Sequence, residues 1–139
     1  MKTPGRATPE ATRRHLDRFP AHEPHGHTSL GATGLSISRL GFGSYRVDDE
    51  TPEHHQALEA ALAAGCNLID TSTNYTDGGS ERLIGDVLHK THAGGGPTRD
   101  AVAVVSKIGY VQGENMGLAM ERERSGFPFS EMVKYMDGC

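Results

Sequence analysis

Three residue types that together can move a proton stand in two short stretches of this chain. The first, Asn67 to Tyr75, reads NLIDTSTNY. Its apolar pair Leu68 and Ile69 runs into a carboxylate, Asp70; small hydroxyl residues follow, and Tyr75 arrives five positions after the acid. The second, AVAVVS from Ala101 to Ser106, is apolar throughout and ends at Lys107. A tyrosine hydroxyl titrates near ~10 in water, so it is a slow proton donor at neutral pH. An ammonium beside it stabilises the phenolate, and a carboxylate beside the ammonium holds that group charged and aimed. Such a set protonates an oxygen, as carbonyl reduction requires when hydride reaches the adjacent carbon. The hydride must come from a cofactor, since no side chain supplies one. The same residues have a plainer reading, an Asp–Lys ion pair at neighbouring strand ends with a tyrosine packed beside it. Spacing alone does not choose between the two. No histidine or cysteine accompanies Asp70 at ligand spacing, so a metal centre is not expected.

Whether the three meet depends on the elements that carry them. TSLGATGLSISRLGFG, from Thr28 to Gly43, reads as a β-hairpin: Leu30, a turn at Gly31–Gly34, then Leu35 and Ile37 in alternation. Leu40 and Phe42 continue as a second short strand that ends at Gly43, Ser44 and Tyr45. Gly41-Phe42-Gly43 lacks the third glycine and the opening helix of a dinucleotide loop. Thr51 to Ala64 is a helix with Thr51 as N-cap, Pro52 at its first position and Glu53 complementing the dipole. Ala57, Leu58, Ala61 and Leu62 form its apolar stripe, and Gly65 stops it. His54 and His55, in its first turn, are expected in solvent. Cys66 to Asp70 is the next strand. Ser80 caps a second helix that runs to about Lys90, with Leu83, Ile84, Val87 and Leu88 on its apolar face. The stretch from Ala101 to Ser106 is the third strand, apolar as a strand buried on both faces should be. Alternating strands and helices imply an α/β fold with a parallel sheet. Ser44, Asp70, Tyr75 and Lys107 then gather on the edge where such folds build their sites.

The flanks are less informative. Residues 1–27 are polar, with prolines at Pro4, Pro9, Pro20 and Pro24. They read as a disordered or loosely attached extension, with a short helix over Pro9 to Arg18 as an option. His22, His25 and His27 lie close together and could hold a transition metal, but ligands need supporting partners, and the bland reading is an unstructured histidine-bearing tail. Residues 28–110 hold the α/β pattern. Residues 111–139 form an insertion-like tail: loop or weak helix to Met120, a solvated charge run at Glu121 to Arg124, and an amphipathic stripe at Phe129, Met132, Val133 and Met136. Of 139 residues only 35% are hydrophobic, and 18 glycines and 7 prolines mark much of the length as turn. The net charge of −4 argues against bulk attraction to nucleic acid or an anionic membrane. No run nears the ~20 apolar residues that span a bilayer, and the N-terminus has no signal-peptide core. The two cysteines, Cys66 and Cys139, show no metal spacing and fit a reducing compartment, with Cys66 expected as a buried thiol. A cytoplasmic location is expected.

Four segments in order, LGATGLSISRLGFGSYR, NLIDTSTNY, SERLIGDVL and VVSKIGY, resemble successive N-terminal segments of the aldo-keto reductase family. The resemblance runs from about Thr28 to Tyr110. GYVQGENM and FPFSEMVKY resemble an insertion in some bacterial members, with sugar-lactone and galactose dehydrogenase-like relatives as a subgroup. It implies a partial (β/α)8 TIM barrel, here the N-terminal β-hairpin plus about the first three βα units. It also implies an NAD(P)-dependent oxidoreductase that moves hydride between NADPH or NADH and an aldehyde, ketone or sugar carbonyl or alcohol. Asp70 matches the family's catalytic aspartate, Tyr75 its proton donor and Lys107 the lysine that eases that donation. Gly43, Ser44 and Tyr45 match residues on the nicotinamide-ribose side, which Asp70 also approaches. The family's catalytic histidine, on its fourth strand, would fall beyond Cys139, as would its remaining cofactor-binding segments. A full barrel takes about 250 residues. The chain is therefore expected to be a truncated member, inactive or weakly binding in isolation, that associates through an unpaired sheet edge. The alternative expectations are a non-catalytic remnant serving as a protein-binding subunit, or a fragment without function.

Overall fold

The computed structural model describes residues 5–22 and 25–127. The chain divides into two compact units, Met1–Ile108 and Gly109–Cys139. In the first, β1 (His27–Ser29) and β2 (Ser36–Ser38) pair antiparallel, with Thr28 opposite Ile37. Their turn uses Gly31 and Gly34 in the left-handed region, as the hairpin reading requires.

The chain then alternates β3 (Phe42–Gly43), α2 (Pro52–Ala63), β4 (Leu68–Asp70), α3 (Gly79–Ala93) and β5 (Ala103–Val105). The three strands form a parallel sheet in the order β3-β4-β5. Gly43 pairs with Asp70 and Asp70 with Val105, so the strand ends share one row. Leu40 stands outside the second strand and is exposed. Leu58 and Leu62 of α2, Ile69 of β4, Val102, and all four stripe residues of α3 make one buried cluster. Each large side chain removed from water there contributes about 1.5–3 kcal/mol, and this cluster sets the height of β4 against both helices.

Several expectations are corrected. The α2 stripe is narrower than its spacing suggests: Leu58 and Leu62 are buried, Ala61 is half-buried and Ala57 is exposed. Thr51 makes no side-chain cap; Asp48 Oδ1 instead accepts from the amides of Thr51 (2.8 Å) and Glu50 (3.0 Å). The loop before α2 folds back over the helix start. His54 Nδ1 accepts from the Asp48 amide at 3.1 Å and His55 Nε2 lies 3.2 Å from the Asp49 carbonyl, so both rings are half-buried rather than in solvent. Burial along the third strand fades from Ala103 to Val105, which is 43% exposed, because among the described residues β5 has a sheet neighbour on one side only. Cys66 is half-buried, its thiol near the carbonyls of Leu40 and Leu68; Cys139 lies outside the described residues.

The loose extension expected before β1 is, over its described part, docked structure. Helix α1 (Pro9–Leu16) starts with Thr8 as N-cap, its Oγ1 accepting from the Ala11 amide at 3.2 Å. Ala11, Thr12, His15 and Leu16 are buried. The Ser36 amide donates to Thr12 Oγ1 (3.2 Å), which ties α1 to β2, and the Thr8 amide donates to the Asp100 carbonyl (2.9 Å). Phe19 packs over Gly65, where a Cβ would lie 2.9 Å from the ring. Composition hid this because one face of two helical turns needs few large apolar residues when its neighbours are small. His22 stacks on Phe19 in a 3-10 turn and His27 belongs to β1, so neither sits on a free tail. Among the described residues no group of three or more His, Cys, Asp or Glu is arranged to hold a metal.

Asn67 joins the hairpin to the sheet. Fully buried, it accepts from the Ser38 amide (2.8 Å) and donates from Nδ2 to the carbonyls of Ser36 and Ala101, both at 3.1 Å. Its own amide donates to Ser38 Oγ (3.0 Å) and its carbonyl accepts from the Ala103 amide (2.8 Å).

In the second unit, α4 (Glu114–Arg124) is the weak helix the sequence allowed, and its last turn carries the exposed charge run at Glu121 to Arg124. The apolar stripe at Phe129 to Met136 lies outside the described residues. No helix among the described residues is long and apolar enough to cross a membrane.

Candidate active site

The shared row at the strand ends brings Asp70, Tyr75 and Lys107 together, although 37 positions separate the aspartate from the lysine. β4 delivers Asp70 as its last residue, and the segment leaving β5 delivers Lys107 two residues past Val105. Tyr75 returns to the edge through a turn closed by its amide donating to the Ser72 carbonyl at 3.1 Å.

Lys107 Nζ stands 2.7 and 2.8 Å from the two Asp70 carboxylate oxygens, 3.0 Å from the Thr71 carbonyl and 3.1 Å from the Tyr75 hydroxyl. It also lies 4.9 Å from the Tyr75 ring centroid. An ammonium has three hydrogens and no acceptor site. The carboxylate, the carbonyl and the phenol oxygen claim all three. The Tyr75 oxygen is therefore an acceptor from Lys107, and its own hydrogen is left to point elsewhere. The Asp70 carboxylate, and after it the Tyr75 hydroxyl, hold the Lys107 ammonium above the ordinary lysine range, against a small opposing effect of burial. Lys107 is thus charged throughout the neutral range. About half of each side chain in the pair is exposed (48% for Lys107, 50% for Asp70), so the pair adds little to folding stability and its consequence is orientation.

The residues expected on the cofactor side divide. Gly43 has nothing within 4 Å of the position a Cβ would take, so the end of β3 beside Asp70 is open. Tyr45 is 63% exposed, with its ring edge-on to Tyr75 at 5.1 Å between centroids. Ser44, in contrast, is fully buried and cannot line a groove. Its hydroxyl donates to the Asp70 carbonyl at 2.8 Å, beside its own amide at 3.0 Å. Ser80 Oγ in turn donates to Ser44 Oγ at 2.6 Å, and Thr71 Oγ1 lies 3.0 Å from Ser80 Oγ. A carbonyl only accepts, so the chain of hydrogens has one direction, from Thr71 to Ser80 to Ser44 to Asp70. This buried line behind the carboxylate fixes the end of β4 from below while Lys107 fixes it from above.

Ser80 therefore does not cap α3 as its position suggests; Gly78 takes the N-cap position without a side-chain bond. The signal for its role was the density of hydroxyl residues around Asp70 and in Ser44 and Ser80, which a strand-and-helix reading passes over.

The turn after Tyr75 is strained. Thr76 and Asp77 both have φ of 50°, the left-handed region that costs a non-glycine residue about 1–2 kcal/mol. Thr76 Oγ1 donates to the Val47 carbonyl at 2.8 Å and accepts from the Ser80 amide at 3.0 Å. Arg82 braces the same loop: Nε and Nη2 reach the Asp49 carboxylate at 2.7 and 3.1 Å, and Nη1 the Asp77 carbonyl at 3.3 Å. The Arg82 hydrogen bonds are the main reason the Asp49 carboxyl is held below the usual carboxylate range.

An acid, a lysine and a tyrosine thus converge at the carboxyl edge of a parallel α/β sheet. Residues 39–137 match the sequence model described as the Aldo/keto reductase family, and the chain belongs to that family. Over 84 residues it is 32% identical to the uncharacterized oxidoreductase YrpG of Bacillus subtilis (strain 168), a match covering 59% of this chain and 26% of that protein. Among solved structures, aldo-keto reductase AKR11C1 from Bacillus halodurans (holo form) superposes with a TM-score of 0.54 at 24% identity, over 63% of this chain and 27% of that one. The thermostable aldo-keto reductase Tm1743, solved with the inhibitor epalrestat, superposes with a TM-score of 0.50 at 25% identity, over 73% and 38%. The chain thus spans between about a quarter and two-fifths of the length of these relatives. The structural likeness supports an α/β fold matching aldo-keto reductase barrels, of which the described residues form the hairpin and three parallel strands.

Proposed function

We propose that this chain carries the proton-donor side of an NAD(P)H-dependent oxidoreductase site, acting on an aldehyde, ketone or sugar carbonyl, or on the alcohol in reverse. The observation that carries the reading is the geometry of Lys107, which gives hydrogens to Asp70 and to the Tyr75 oxygen and so leaves the phenol hydrogen free for a ligand. A carbonyl oxygen bound beside Tyr75 accepts that hydrogen. The phenolate left behind lies against the Lys107 ammonium, and Asp70 keeps the ammonium in place as charge moves. In the alcohol direction the same phenolate takes the proton back.

The residues present fit one wall of a nicotinamide site. Gly43 leaves space at the end of β3, Asp70 with its half-exposed carboxylate is paired beside it, and Tyr45 offers an exposed ring next to Tyr75. NADPH or NADH bound there would supply the hydride. Ser44 belongs to the framework beneath that wall.

Titration of NADPH and NADH into the 139-residue chain, with NADPH-oxidation assays on a panel of aldehydes, ketones and sugars, tests the reading in two parts. Weak cofactor binding and no clear turnover are expected, because β3 to β5 supply one wall only. Clear turnover would overturn that expectation. Any turnover seen should fall ~10²–10⁴-fold in Tyr75→Phe, the usual contribution of a positioned general acid; an unchanged rate would overturn Tyr75 as the donor.

A further inference from the structure

We infer that Thr76, the residue after the proposed proton donor, is a positioning residue that aims Tyr75 at Lys107. The inference rests on Tyr75 being the donor of the reaction proposed above. A β-branched residue with a φ of 50° is rare, and here it is followed by a second non-glycine residue with the same φ. Such a turn persists only where its surroundings hold it. Here the hold comes from the side chain of Thr76 itself. Its hydroxyl donates to the Val47 carbonyl (2.8 Å) and accepts from the Ser80 amide (3.0 Å), so one oxygen joins the loop after β3 to the first turn of α3.

Each end of that bridge leads to the site. Val47 is two residues from Tyr45 and is tied to the same loop by its amide donating to the Ser44 carbonyl (3.3 Å). Tyr45 meets the Tyr75 ring edge-on at 5.1 Å. Ser80 is the middle member of the hydroxyl line that ends on the Asp70 carbonyl. Thr76 thus fixes the Tyr75 ring from its backbone, between Tyr45 on one side and the ammonium on the other. Its own side chain need touch neither substrate nor cofactor. The left-handed pair turns the chain sharply enough for Tyr75 to face the sheet edge while α3 begins four residues later.

Isotope-labelled chain and NMR cross-relaxation test this without requiring turnover. In the unsubstituted chain the Lys107 side-chain methylenes should show cross-peaks to the Tyr75 ring, and the Tyr75 ring to Tyr45. Thr76→Val, which keeps the branch and loses the hydroxyl, should lose both sets. Thr76→Gly, which loses the hydroxyl but relieves the left-handed strain, should lose them too while the α3 amides beyond its first turn keep their shifts. Thr76→Ser, which keeps the hydroxyl, should retain them. Cross-peaks that survive in Thr76→Gly with an intact α3 would overturn the role of Thr76 and leave the donor reading standing. Their absence from the unsubstituted chain would overturn the Tyr75–Lys107 pairing, and this inference with it.

Discussion

Lys107 has three hydrogens for three acceptor groups, the Asp70 carboxylate, the Thr71 carbonyl and the Tyr75 oxygen, and an ammonium cannot accept, which decides what Tyr75 can do. An arginine could not replace it, because a planar fork does not reach a carboxylate, a carbonyl and a phenol that lie around a point. Lys107→Arg is therefore expected to lose the Tyr75 contact although the charge remains, which the Lys107–Tyr75 cross-peaks would report as a loss. Ser44 gives the opposite kind of prediction. Ser44→Ala leaves one hydroxyl of the buried Thr71–Ser80 pair without an acceptor, at a cost of about 1–3 kcal/mol. Urea denaturation should show this as a lower midpoint, with nicotinamide affinity little changed; an unchanged midpoint with lost affinity would return Ser44 to the cofactor wall. The meeting of Asp70, Tyr75 and Lys107 was legible in the sequence because Asp70 and Lys107 each follow directly on an apolar or strand-forming run, and Tyr75 returns after a short polar turn. Ser44 parts from its two neighbours in burial, although Gly43, Ser44 and Tyr45 are successive residues. Side chains alternate along an extended chain, so three in a row cannot all face one groove. The structure turns Tyr45 out and Ser44 in.

At the scale of elements, periodicity found the two helices and three parallel strands, because the apolar residues of α3 in particular fall at strict helical spacing. It could not show what joins them, since that is done by polar atoms without a period. Asn67 is the clearest case. Asn67→Ala would strand the Ser38 amide and the carbonyls of Ser36 and Ala101 in a buried place, each lost partner costing about 1–3 kcal/mol. Thermal melting should place this substitution among the most damaging in the chain, beside Leu83→Ala of the core; a melt like that of the unsubstituted chain would contradict the role given to Asn67. Helix α1 carries a pH-dependent term. Both ring nitrogens of His15 are buried without a hydrogen-bond partner, and burial first, then the charges of Arg18 and His27, hold its pKa below the usual histidine value of 6.5. The unfolded chain therefore binds a proton more readily than the folded one. Stability is full above about pH 6.5 and falls as pH drops from there through the lower folded value. His15→Phe should flatten the denaturation midpoint over that window; an unchanged slope would contradict it.

Over the whole molecule, the family is established by the match across residues 39–137, and the activity proposed for it rests on a single edge of a three-stranded sheet. Among the described residues β5 pairs only with β4 and leaves Val105 exposed, an arrangement that favours strand-to-strand association. Light scattering should show concentration-dependent association that Val105→Lys reduces; equal behaviour of the two chains would argue against that edge. The central claim, that Asp70 and Tyr75 together hold the Lys107 ammonium, has a more direct test in the titration of Lys107 itself, followed by NMR of the carbon next to its nitrogen. Both partners raise its pKa above the ordinary 10.5, so their stabilising contribution is complete below that pH and is lost only as pH rises through the folded value. A midpoint above 10.5 is expected in the unsubstituted chain, moving down in Asp70→Asn. A midpoint at or below the ordinary value, unmoved by Asp70→Asn, would contradict it.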